Sequence, residues 1–216
     1  MKRFQLFLEG LASLAHGRRA RFTTIAVLVI GGLAFYQAMQ IRIGNPVEGS
    51  NLLWFDSEFN EAVRAINNNF PGVNTLELVL EAKDPKNPKR VARQSETVMT
   101  AFRLQRILET GEDAPRATLS YGDYLLEGNR LFSGGNPKWL SVDPNDQAVN
   151  AAATAVMIGT SSKAFSHVAD FNLQNSTVSL WYPDNKQDTV DAALAAANAA
   201  VDQVGTDFDD FRIRLG

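Results

Sequence analysis

Apolar and polar positions follow three different rhythms along this 216-residue chain. From Phe22 to Ile41 there is hardly any rhythm. Only Thr23, Thr24, Gln37 and Gln40 interrupt an apolar run that Arg21 and Arg42 bound. Twenty helical residues reach about 30 Å, the thickness of a bilayer's hydrocarbon core. A core helix of that length would be amphipathic. A secretory signal would carry a shorter apolar run, about 7 to 15 residues, followed by a small-x-small cleavage site. The pattern predicts a membrane-spanning helix over 22–41, retained in the mature chain.

The second rhythm is helical. Behind Asp56 or Ser57 as N-cap, Phe59, Ala62, Val63, Ile66 and Phe70 recur at helical spacing until Pro71 and Gly72 stop the run. A long helix is expected over Lys89–Thr110, with Val91, Val98, Met99, Phe102 and Ile107 as its apolar stripe and Arg90, Arg93, Glu96, Arg103 and Arg106 on a solvated side. Asp146–Met157 predicts another, with Val149, Ala153 and Val156 inward. Gln187–Val204 predicts the last, closed by Gly205 as C-cap. Ahead of the span, Phe4, Phe7, Leu8, Leu11 and Leu14 form one face of an amphipathic leader, suited either to the bilayer interface or to other membrane helices.

The third rhythm is alternation, which in the first strand only Val79 dilutes. Leu76, Leu78 and Leu80 oppose Thr75, Glu77 and Glu81 in a strand over Asn74–Ala82, and Val178, Leu180 and Tyr182 oppose Thr177, Ser179 and Trp181 in Ser176–Tyr182. Phe211, Ile213 and Leu215 alternate with Arg212 and Arg214, and Arg116–Ser120 is a short fourth strand. Between the halves lies a crossover, Tyr121 to Pro144, rich in aromatics and turns. Its Tyr121, Tyr124, Leu125, Phe132 and Trp139 either pack it on the core or contact a ligand.

These elements predict an α+β protein: one transmembrane helix, then a ferredoxin-like (βαβ-βαβ) domain with extra helices. The expected divisions are a cytoplasmic leader over 1–21, the span over 22–41, a Gly/Pro-containing linker over 42–55 and a domain over 56–216. A strand at the end of the chain leads us to expect further sequence beyond it.

Charge orients this arrangement. Lys2, Arg3, Arg18, Arg19 and Arg21 precede the span against Glu9 alone, which predicts a cytoplasmic N-terminus and a domain outside, and the lack of cysteine fits a bacterial periplasm on that side. Of 21 basic and 24 acidic residues, the part after Arg42 holds 15 and 23, a formal charge of −8. Without a basic stripe, nucleic acid is not an expected partner. The chain has no cysteine, which removes disulfides and thiolate chemistry.

Catalysis is not expected. His16 and His167 fall on opposite sides of the predicted span, and SSKAFSHVAD around His167 has no nucleophile elbow. Neither HExxH, nor GxGxxG, nor a P-loop occurs. Asp207, Asp209 and Asp210 lack the glycine and terminal glutamate of an EF-hand and read as a charged turn, so no cofactor or metal is expected.

The succession of basic leader, spanning helix, NPVEGSNLLWFDSEFNEAVRAINNNFPGVNTLELVLEAKDP and SYGDYLLEGNRLFSGGNPKWL resembles the first membrane helix and first periplasmic loop of resistance-nodulation-division transporters, closest to the MMPL-like, lipid-handling exporters. The shared crossover positions are Asp123, Tyr124, Leu125, Asn129, Arg130, Gly134, Gly135, Asn136 and Pro137. The resemblance implies a proton-driven exporter whose porter domain passes a hydrophobic or lipid-like molecule. Its proton-carrying acids would lie on other membrane helices, since this span has no Asp or Glu. The expected partners are then the membrane, the remaining transporter bundle and that hydrophobic molecule, with a homo-oligomer left open. Tyr121, Tyr124, Phe132 and Trp139 are the candidate substrate-path or interface residues. The rival readings are a single-span tethered scaffold or ligand-binding protein, a sensor, for which about 21 inner residues are too few, and an anchored hydrolase, which has no site.

Overall fold

The computed structural model describes residues 17–40 and 48–216, in two units. In the first, helix α1 (Gly17–Met39) contains Ala20–Met39, a stretch long and apolar enough to cross a membrane. Its large side chains, Phe22, Leu28, Ile30 and Phe35 among them, all stand exposed. Thr24 donates its hydroxyl to Ala20 O at 2.9 Å, so one of its few polar groups is satisfied within the helix. The leader's apolar face and Ile41 lie outside the described residues.

The second unit is a mixed α+β domain built on one antiparallel sheet. It contains α2 (Glu58–Asn69), β1 (Asn74–Ala82), α3 (Ser95–Glu109), β2 (Ala117–Ser120), α4 (Tyr121–Phe132), α5 (Asp146–Gly159), β3 (Ser176–Tyr182), α6 (Gln187–Val204) and β4 (Phe211–Leu215). The strands lie in the order β2-β3-β1-β4, every neighbouring pair antiparallel. Alternation decides the faces. Leu78, Leu80, Val178, Leu180, Tyr182, Phe211 and Ile213 all point to one side, where α3 and α6 cover them through Leu104, Leu108, Ala193, Ala197, Ala200 and Val201. Small residues on α6 let it lie close to α3. The opposite side of the sheet carries Glu77, Glu81, Arg212 and Arg214, with Ser179 donating its hydroxyl to Glu77 at 2.7 Å.

A second core sits beside the first. There α4 and α5 pack Tyr121, Leu125, Val149, Ala153 and Val156 against Phe165, Val168 and Leu173. Gly128 permits this approach, because a Cβ there would meet Val156 Cγ2 at 2.5 Å. Helix α5 runs two residues past the expected Met157. The inward positions Val149, Ala153 and Val156 are as the spacing predicts.

Three expectations need correcting. The long helix starts at Ser95, not Lys89, because Arg90 is left-handed (φ 54°) and the next backbone donors turn to other segments. Val91 N bonds Gln174 Oε1, Ala92 N bonds Leu173 O, and Ser95 N bonds Asp146 Oδ1. Arg93, expected on the solvated side, is half-buried and donates to Asn150 O and Thr154 Oγ1, both at 3.1 Å. The crossover opens with a helix, α4, whose capping box pairs Ser120 with Asp123.

The edge strand β4 is held by charge as well as by its ladder. Glu81, opposite Arg212, accepts from Arg212 Nε at 2.6 Å and lies 2.8 Å from Arg214 Nε. The hydrogen bond from Arg212, with the charges of both arginines, holds its carboxyl below the usual glutamate value. Asp210, just before β4, is held low by the Lys89 ammonium at 3.1 Å. Carboxyls depressed in the folded state contribute stability that is complete above their unfolded pKa values, about 4, and is lost as pH falls through the folded values. The urea midpoint is expected to fall between pH 5 and pH 3, and Glu81→Gln to flatten that decline. An equal slope in the variant would refute the assignment.

Candidate functional site

The four crossover residues do not converge. Tyr121 belongs to the second core, fully buried against Phe165 with ring centroids 5.5 Å apart. Its hydroxyl has no hydrogen-bond partner, and burial pushes its pKa up to about 12. Tyr124 is half-buried; its ring meets Phe165 and lies edge-on to His167, and its hydroxyl is 3.1 Å from His167 Nε2. Phe132 and Trp139 are exposed at the far end of the crossover. Asn129, in α4, fixes the return of the chain by donating to Trp139 O and Ser141 O. Tyr121 and Tyr124 therefore pack, whereas Phe132 and Trp139 remain available to a ligand or partner.

An apolar concave surface lies elsewhere, where β1 begins and β3 ends. One groove, of about 320 Å³, is walled by Val73 and Leu76 from the start of β1, Tyr182 from the end of β3, and Val190 and Leu194 from the first turns of α6. An adjoining groove of about 520 Å³ shares Val73, Asn74 and Asn185 with it and continues to Leu52, Phe59 and Val63. Two polar atoms in the wall, Tyr182 Oη and Asn185 Oδ1, are buried without a hydrogen-bond partner. Burial, helped by the charge of Asp113, raises the Tyr182 pKa, so its phenol is neutral and able to donate at physiological pH.

An ion cluster lies at the turn into α6. Lys186 Nζ sits 3.3 Å from both Glu48 Oε1 and Asp184 Oδ2. Burial works to raise the Asp184 pKa, but hydrogen bonds from Thr189 and Lys186 outweigh it and the net shift is downward. Hydrogen bonds to Asp184 and Glu48 raise Lys186 in turn. The arrangement supplies apolar walls, with two unpartnered polar atoms buried behind them, which suits holding an apolar chain.

Among the described residues no group of three or more His, Asp or Glu is placed to hold a metal. Asp207 pairs with Lys83 and Asp210 with Lys89. Sequence reasoning missed the groove because its polar atoms lie in YPDN, which reads as a turn, and because Tyr182 alternates like any core residue. Comparison of the chain with protein-family models, curated proteins and solved structures returns no match.

Proposed function

We propose that this chain is the N-terminal part of a proton-driven exporter of the resistance-nodulation-division type, with α1 crossing the bacterial inner membrane and the α+β domain guiding a hydrophobic or lipid-like molecule in the periplasm. The observation that carries the reading is the strand order β2-β3-β1-β4 with antiparallel pairing throughout, which is the order of a ferredoxin-like split βαβ, the unit implied for a porter domain. It follows a helix apolar enough to span a bilayer. The groove between β1 and α6 adds apolar walls, Val73, Leu76, Val190 and Leu194, that fit a hydrophobic molecule.

The domain performs no chemistry in this reading. It binds and releases while proton transfer on other helices supplies the drive. The test uses inverted vesicles from cells expressing the complete coding sequence and loaded with a fluorescent fatty acid. Movement of the probe should require a pH gradient, stop with a protonophore, and slow with Val190→Asp or with Phe132→Ala and Trp139→Ala together, at unchanged protein abundance. Probe movement indifferent to the gradient would refute the reading.

A further inference from the structure

The stretch Leu52–Phe55 places four large apolar residues in succession, and the fold turns them outward. Leu52 is 94% exposed and Trp54 86%, with Phe55, Phe59 and Phe70 also exposed. This is a constructed surface, because polar groups beneath it fix its shape. Asn60, buried inside α2, accepts from Ser50 N at 2.8 Å and donates to Ser50 O at 3.2 Å and Trp54 O at 2.9 Å. Gly49 (φ +99°) has no Cβ where one would strike Asn60. Arg64 donates to Phe55 O and lays its guanidinium 4.2 Å over the Phe55 ring. Helix α2 thus buries Asn60, Val63 and Asn67 and presents Phe59 and Ile66 to the outside.

Apolar exposure on this scale marks a contact surface. Its chemistry fits a bilayer interface, where tryptophan, phenylalanine and leucine insert among headgroups and upper acyl chains. Chain length fits too. Twelve residues lead from Gln40 at the end of α1 to Leu52, a reach of at most about 40 Å. A second copy of the chain fits less well, since a two-fold contact through this patch would bring two surfaces carrying Asp56, Glu58 and Glu61 together with no basic side chain but Arg64 among them. The same carboxylates give no attraction to anionic lipid.

We propose that Leu52–Phe55, with Phe59, is an interfacial membrane anchor that inserts by apolar contact and fixes the domain to the lipid surface. It rests on α1 spanning the bilayer, as read above. Because the chain has no cysteine, single spin labels report on it cleanly. Leu52→Cys, Leu28→Cys in α1 and Glu112→Cys on an exposed turn are labelled separately in the whole chain, reconstituted in phosphatidylcholine liposomes. Accessibility to oxygen, which partitions into lipid, is compared with accessibility to a water-soluble nickel chelate.

The expected result is oxygen exceeding nickel severalfold at 52 and 28, and the reverse at 112. Nickel equal to or above oxygen at 52 overturns the anchor, whatever 28 shows. Low accessibility to both reagents at 52 also overturns it, because protein rather than lipid then covers the loop. A lipid-like value at 28 beside a watery one at 52 removes the anchor and leaves the span standing.

Discussion

Leu104→Ala is expected to lower the unfolding free energy of the α+β domain by about 3–4 kcal/mol, within the range of about 2–5 kcal/mol for deleting a fully buried leucine side chain. Leu104 has no exposed surface and belongs to the cluster that joins α3 to the sheet and α6. The cavity it leaves cannot readily close. Across from it α6 contributes alanines 193, 197 and 200, which have no side chain to swing into the space, and the sheet leucines 78, 80 and 180 are held by ladder positions on the central strands. Ile107, only partly buried in the same helix, is expected to cost about 1 kcal/mol when replaced by alanine. Urea unfolding followed by tryptophan fluorescence separates the two, with an unchanged dependence on urea showing that the same domain unfolds. Equal losses would mean that α3 does not present Leu104 to the core.

Strands were the most legible part of this fold in the sequence. Asn74–Ala82 and Ser176–Tyr182 alternate because one side of the sheet is core and the other is mostly charged and polar, so most positions report their face; Val79 and Trp181 are the apolar exceptions on the outer side. Helix α6 is legible for a similar reason, since a single face is buried. Helix α3 is not, because it touches both cores: Val98 serves the second and Leu104 the first, and Thr97, Thr100 and Gln105 are buried between. A helix buried on two sides has no single apolar stripe, and Met99 and Phe102, chosen by size, are only half-buried.

Helix α4 was hidden by Gly122 and Gly128, which lower helix propensity yet are needed where Phe102 and Val156 come close. Its capping box, Ser120 with Asp123, was the available sign. The candidate site divides along the same line. Aromatic size singled out Tyr121 and Tyr124, which pack, while the groove depends on where turns bring Val73 and Asn185 together, and no local pattern encodes that.

Helix α2 shows how far apolar pattern can mislead, and it carries the other large prediction. By pattern alone, Asn60→Leu extends an apolar helix and should be harmless or stabilising. The structure reverses that expectation. The Asn60 side chain ties α2 to both Ser50 and Trp54 O, closing the loop with three hydrogen bonds at 2.8–3.2 Å. Leucine has similar volume and can make none of them; it leaves Ser50 N without its acceptor, while Ser50 O and Trp54 O keep only the backbone N–H groups of Leu53 and Ser57. At about 1 kcal/mol for each bond, the loop should lose about 2–3 kcal/mol of local stability.

That loss is local because α2 and the loop lie outside both buried clusters. Hydrogen exchange at Ser50–Ser57 is therefore expected to quicken by about 30- to 150-fold, following that free energy, while amides of β1 and β3 keep their protection and the urea midpoint hardly moves. Asn60→Asp, which keeps the acceptor for Ser50 N but loses both donations, should fall between. If Asn60→Leu leaves Ser50–Ser57 as protected as before, the loop is held by its apolar side chains after all, and those side chains are then not free to meet a membrane.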